Sequence, residues 1–218
     1  MECFYIVTVS WIFSVCLHEF GHAWVAYKGG DYTVKDKGYF TLNPLKYTDP
    51  VQSIIMPIVF VMIGGLGLPG GAVYIERDRL RSRGWETAVS LAGPAMNVLL
   101  ILGFGVPFWA HWIRAEPDSL PAVSVAFLIR LQISAVLFNL LPIPPLDGFQ
   151  AIGPWLPDET RTRLMAQSNL FFWGLFLVMW NVPAAGEFFW GIVSDITRVL
   201  DIDPRLARLG RQEFQFWR

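Results

Sequence analysis

Two histidines four residues apart bracket a glutamate in His18-Glu19-Phe20-Gly21-His22. On a helix of 3.6 residues per turn, positions i and i+4 share nearly one face. Both imidazoles can then reach one tetrahedral Zn²⁺, and Glu19 can approach the water bound to it. Zinc lowers the pKa of such a water towards about 7, and a neighbouring carboxylate can take its proton and pass it to a leaving amine. A five-residue match of this kind also arises by coincidence on soluble helices, so its setting matters. The fifteen residues from Cys3 to Leu17 carry no charge. An ionisable side chain at a helix centre in a bilayer costs about 2.5 to 3.5 kcal/mol on insertion scales. Three of them within five residues call for a compensating partner such as a metal.

A catalytic zinc takes a third protein ligand and keeps an open position. The remaining histidine, His111, sits among Trp109, Trp112 and Arg114 and reads as a residue of the membrane edge. Asp147 is the better ligand, because it closes the apolar stretch Asn139-Leu140-Leu141-Pro142-Ile143-Pro144-Pro145-Leu146, whose prolines prevent regular helix, and precedes Gly148. Taken alone, Asp147 reads equally well as a cap at a helix start.

These residues need apolar elements to hold them, and the composition supplies them. Of 218 residues 54% are hydrophobic and 16% charged, which excludes a disordered chain and an ordinary soluble domain. Seventeen Lys and Arg against eighteen Asp and Glu leave no basic excess for a nucleic-acid partner. Uncharged or nearly uncharged runs predict membrane segments at Cys3 to Tyr27, Val51 to Leu68, Thr87 to Ile113, Leu120 to Leu146 and Leu164 towards Ile192. Cys3 and Cys16, thirteen residues apart on one predicted helix, are too distant for a disulfide. If Val51 to Leu68, with Pro57, Gly64, Gly65 and Gly67, dips in and returns, ten positive charges share one face against Arg114 on the other. A re-entrant segment is therefore expected, with a polar cavity beside the first helix. A hairpin at Asn181 to Gly186 is expected to keep the arginine-rich tail on the same face, and Pro204 to Arg218 reads as an interfacial helix or a basic tail.

Four separated pieces resemble the site-2 protease family of intramembrane zinc metalloproteases. They are His18-Glu19-Phe20-Gly21-His22; Leu42-Asn43-Pro44-Leu45-Lys46 with Asp49-Pro50; Ala92-Gly93-Pro94-Ala95-Met96-Asn97; and Asn139 to Gly148. Their order runs through about the first 150 residues. Larger members carry PDZ or CBS domains for which this chain has no room, so it resembles the compact branch. Phe149 follows Gly148 where many members have a second glycine.

The resemblance implies an all-α polytopic membrane protein of about four to six membrane segments, with a re-entrant segment and short β-strands near the active site. It implies one membrane-embedded metalloprotease domain, 1–218, with a catalytic core of about 1–150 and a C-terminal membrane segment and tail of about 164–218. One Zn²⁺ per chain would be held by His18, His22 and Asp147, with Glu19 as general base, hydrolysing peptide bonds in or near transmembrane helices of membrane proteins. Asn139 matches the asparagine of the third-ligand motif and has two readings, orienting a substrate carbonyl or bridging helices. Asn97 reads as a packing residue beside Gly93. Tyr39-Phe40-Thr41-Leu42 and Ala72-Val73-Tyr74-Ile75 favour strands and could pair with an unwound substrate. The expected setting is a prokaryotic cytoplasmic membrane, its bilayer a partner alongside the transmembrane substrate, with the site nearer the cytoplasmic face. Two alternatives stand beside this reading: a membrane-anchored zinc protease acting on soluble or misfolded proteins, and a non-catalytic metal-binding membrane protein.

Overall fold

The computed structural model describes residues 1–43, 59, 61–62 and 73–217. Helix α1 runs Glu2–Gly29 and stops where Gly30 turns left-handed at φ 118°, its N–H capping the carbonyls of Ala26 and Tyr27. A one-turn helix α2, Thr33–Asp36, follows. The next two long helices start from serine caps: Ser82 accepts the Trp85 N–H at the start of α3, Arg83–Trp109, and Ser119 accepts the Ala122 N–H at the start of α4, Leu120–Asn139. The chain continues through α5, Asp147–Ile152, α6, Asp158–Ala166, α7, Ser168–Asn181, α8, Pro183–Val199, and α9, Pro204–Phe214.

Helices α1, α3 and α4 form the central bundle. Val7, Trp11 and Val15 of α1 meet Phe127, Leu128 and Leu131 of α4 in one core cluster. The outward faces are apolar too, with Tyr5, Val9 and Phe13 on α1 and Val98, Leu99, Leu102 and Val106 on α3 exposed. Water would leave so large an apolar patch unfavourable, whereas hydrocarbon covers it. Among the described residues three helices, α1, α3 and α4, are long and apolar enough to cross a membrane, or four spans if α7 and α8, bent by 92° at their junction, count as one. The chain is a membrane protein, and its three described spans, or four with the bent pair, do not confirm the four to six expected.

The broken pair does not form the expected hairpin. Trp109 Nε1, at the end of α3, donates to the Leu200 carbonyl at 2.7 Å, and Cys3, at the start of α1, donates from Sγ to the Gly210 carbonyl. At the other end of α3, Glu86 meets Arg161 and Thr87 meets Trp155. Between α6 and α9 the chain therefore travels the length of the bundle, and the arginines after α8 sit at the end opposite α6. The reason lies in α8, which buries Phe189, Val193 and Thr197 on one face and keeps running along α4. Helix α9 forms within the predicted tail, packed on α4 with Leu206, Ala207, Gly210 and Phe214 buried. Cys3 and Cys16 are both buried, and no disulfide joins them.

Among the described residues there is no strand, which corrects the expectation of short β-strands near the site. Tyr39 to Leu42 follows bends, with Phe40 edge-on to Phe20 and Tyr27. Ala72 lies outside the described residues, and the backbone donors of the segment that follows go to side chains: Val73 N–H to Glu19 and Glu76 N–H to Asp31. The re-entrant expectation for Val51 to Leu68 and the motif residues Pro44 to Pro50 lie almost wholly outside the described residues. Of that stretch, Val61 packs with Val7, Trp11 and Phe214, and the Met62 carbonyl accepts from Gln215.

Asp31 ties the segment after residue 72 to the end of α1. It is fully buried; one carboxylate oxygen accepts from the Thr33 N–H and hydroxyl, the other from the Glu76 N–H at 2.8 Å. Lys37 and Arg79 hold the Glu76 carboxyl below its ordinary pKa, so whatever stability these ion pairs add to the segment is present above the usual carboxylate range and is lost as pH falls through the lowered value. Asp31→Ala is expected to destabilise the protein by about 2 kcal/mol, since it orphans buried donors. Hydrogen exchange should show the amides of Val73 to Glu76 opening while those of α3 and α4 stay protected.

Candidate metal centre

His18 and His22 face inward from α1 among α3 and α5, 3% and 8% exposed, with Glu19 at 3%. Their Nδ1 atoms are both engaged. His22 Nδ1 donates to the Val89 carbonyl at 2.6 Å, and His18 Nδ1 donates to Asn97 Oδ1 at 2.5 Å. Asn97 is oriented in turn, because its Nδ2 donates to Gln132 Oε1 of α4 at 2.6 Å. A carbonyl only accepts, so the ring protons lie on Nδ1 and both Nε2 lone pairs point forward. This is the arrangement in which the partner of the other ring nitrogen sets the tautomer of a metal-ligating histidine.

Asp147 reaches the same point from 125 residues away. The Thr87 hydroxyl donates to the Ala151 carbonyl at 2.7 Å and accepts from Trp155 Nε1, which fastens α5 and the turn after it to α3. Gly148 makes the approach possible: a Cβ there would strike the Leu140 and Leu141 carbonyls at the end of α4. Phe149, in place of a second glycine, is buried. Asp147 Oδ2 lies 3.3 Å from His18 Nε2, Asp147 Oδ1 lies 3.5 Å from His22 Nε2, and the two Nε2 atoms are 3.0 Å apart.

These atoms fit a metal. Ligand bonds of about 2.0 to 2.1 Å in a tetrahedron put donor atoms roughly 3.4 Å apart, close to the three separations found. Asp147 Oδ2 is buried with no hydrogen-bond partner among the described residues, and with both ring protons on Nδ1 only lone pairs converge on the space between. A cation resolves that repulsion, and two imidazoles with one carboxylate suit zinc. His18, His22 and Asp147 are also, among the described residues, a group of ligand atoms within 4.8 Å of one another. Gly93 keeps that space clear, since a Cβ at this position would collide with both Nε2 atoms.

Glu19 lies within electrostatic reach of His18, His22 and Asp147, and one of its oxygens accepts the Val73 N–H at 3.3 Å. Asn139, the last residue of α4, is 1% exposed, and its Nδ2 has no hydrogen-bond partner among the described residues. His111 stands apart, exposed in the turn after α3. Sequence reasoning assigned Asn97 to packing, whereas the structure places it on His18. It missed Gln132 altogether; the available signal was an amide in an otherwise apolar spanning helix, where polar groups are costly unless engaged.

A helical membrane bundle with two histidines of H-E-x-x-H and a distant aspartate on one point defines a membrane metalloprotease class. The comparisons agree. The chain is 40% identical over 219 residues, 98% of its own length and 81% of the relative's, to a Mycolicibacterium smegmatis protein named "Putative zinc metalloprotease Rip2". It is 34% identical to Bacillus subtilis "Putative zinc metalloprotease YwhC", covering 86% of this chain and 85% of that one. A Methanocaldococcus jannaschii protein, "Putative zinc metalloprotease MJ0611", is 31% identical over 64% of each chain. The chain belongs to the site-2 protease family, and it is a zinc metalloprotease by that membership. No family model and no solved structure matches it.

Two outcomes are expected for the residues around the cluster. Gly93→Ala should leave α3 helical, alanine being the better helix former, yet abolish zinc binding measured on the purified protein. Asn97→Ala should weaken zinc affinity by about 10- to 100-fold in a chelator competition.

Proposed function

We propose that this protein is an intramembrane zinc endopeptidase that cuts membrane proteins in or near their transmembrane helices. The observation that carries the reading is the convergence of His18, His22 and Asp147 beside a buried Glu19, within helices that are apolar on their outer faces. Zinc, one per chain, would be held by His18, His22 and Asp147, and when bound it supplies Lewis acidity and lowers the pKa of water. The whole of 1–218 would act as one membrane-embedded unit.

The chain's own residues do the remaining work. Val73 N–H holds one Glu19 oxygen, leaving the other to take a proton and return it to the leaving amine. A helical substrate hides its peptide bonds in its own hydrogen bonds, so it must unwind before a carbonyl can be attacked. The Asn139 amide, a buried donor without a partner among the described residues, suits that exposed carbonyl. Lys28, Lys35, Lys37, Arg77, Arg79, Arg81 and Arg83 all flank the end of α1 and the start of α3, near the cluster. Under the positive-inside rule that end faces the cytoplasm, which supports a site nearer the cytoplasmic face of a prokaryotic membrane.

Reconstitution in liposomes with a transmembrane substrate tests the reading. Glu19→Gln should keep its zinc and lose at least about 10²-fold in cleavage rate, while Asp147→Ala should lose the zinc as well. Asn139→Ala should keep zinc and stability and lower kcat by roughly 10²-fold, the lower end of what one such donor contributes. Cleavage of an unfolded soluble protein at the rate of the membrane substrate would overturn the intramembrane reading. Full survival of activity in Glu19→Gln would overturn the enzymatic one.

A further inference from the structure

Where α8 and α9 cover α4, a buried cation lies between the three helices. Arg130 lies midway along α4 and is only 9% exposed. It is three residues past Phe127 and seven past Val123, hence on one face of the helix with both. That face carries α9: Gly210 rests there so closely that a Cβ would strike the Val123 carbonyl and the Phe127 Cβ. From α8, the Trp190 ring covers the Arg130 guanidinium at 4.4 Å from the ring centroid.

The charges that act on Arg130 are those of Arg211 and Arg208, both positive. No carboxylate among the described residues forms an ion pair with it, and Glu187 of α8, one turn before Trp190, is exposed. Asp195 pairs with Arg198, Asp203 caps α9 through the Arg205 N–H, and Glu213 acts on Cys3. A guanidinium within a membrane helix is costly without a counter-charge, and neighbouring like charges add repulsion. Trp190 stabilises the cation but offers no negative charge. The planar fork of Arg matches two oxygens of a phosphate at once, and basic pockets between membrane helices suit lipid headgroups.

We infer that Arg130 and Arg208, walled by Trp190, form a binding site for a phosphate group between α4, α8 and α9. This site is separate from the metal centre and does not depend on proteolysis. Its phosphate has two possible sources, the headgroup of an anionic membrane lipid and free phosphate, and the binding chemistry is common to both.

The full chain, delipidated in neutral detergent, is titrated with short-chain phosphatidylglycerol, with phosphatidylcholine of the same chain length, and with inorganic phosphate. Native mass spectrometry and thermal unfolding report binding. Phosphatidylglycerol is expected to bind at least tenfold tighter than phosphatidylcholine, and Arg130→Leu should abolish that preference. Arg208→Ala, at an exposed position, should weaken it several-fold and serves as the test if Arg130→Leu does not fold. Protection of the parent by inorganic phosphate, absent in the variants, would support the site with a soluble source. Equal binding of the two lipids with no effect of phosphate, or a preference unchanged in the variants, would overturn it.

Discussion

Three lone-pair donors cannot rest against one another in a dry protein interior without a positive charge between them. His18 Nε2, His22 Nε2 and the Asp147 carboxylate are held within 4.8 Å, where a low dielectric magnifies both their mutual repulsion and their attraction to a cation. Much of the molecule serves to keep that arrangement. Val89 and Asn97 hold the ring protons on the far nitrogens, Gln132 steadies Asn97, and Gly93 leaves the space that a methyl group would occupy. Metal binding and folding of the central bundle are thereby coupled: each contact that orients a ligand is also a contact between helices.

The membrane setting is compatible with this. A helix apolar on every face can bury backbone polarity internally and still present a few polar side chains inward. Ser14, Ser90, Asn97, Gln132 and Ser134 are all buried within the three long helices. The costs of burying them fall where hydrogen bonds answer, and those bonds run toward the histidines or back onto the helix carbonyls. The bundle thus gathers the metal ligands under a lysine and arginine rim at one end, while α9 packs along the other half of α4 near Arg130.

Local sequence is informative when the chemistry and the spacing reside on one element. His18, Glu19 and His22 are legible because the helical period alone puts both imidazoles on one face, and the apolar residues before them define the helix. Asp147 is legible as a candidate from its prolines and glycine, since a break in a long apolar run places a side chain at a helix end. The strand expectation fails for Tyr39 to Leu42 and for Val73 to Ile75 because propensity counts side chains and ignores backbone partners. Here the Val73 and Glu76 donors are engaged by Glu19 and Asp31. The hairpin fails for a related reason: Asn181, Pro183 and Gly186 mark a break, but the direction taken after it depends on the face that α8 buries against α4.

By itself the sequence determined the class of chemistry, the apolar helices and the motif residues, because each follows from residue type and short-range spacing. Only the tertiary structure decided that Asp147 comes within 3.3 Å of His18, that Asn97 and Gln132 act through that histidine, and that the tail closes over Arg130. Those relations join residues dozens of positions apart, and no local periodicity encodes which helix packs against which. Packing of the spans, driven by small residues such as Gly93 and Gly210 that let backbones meet, supplies that information.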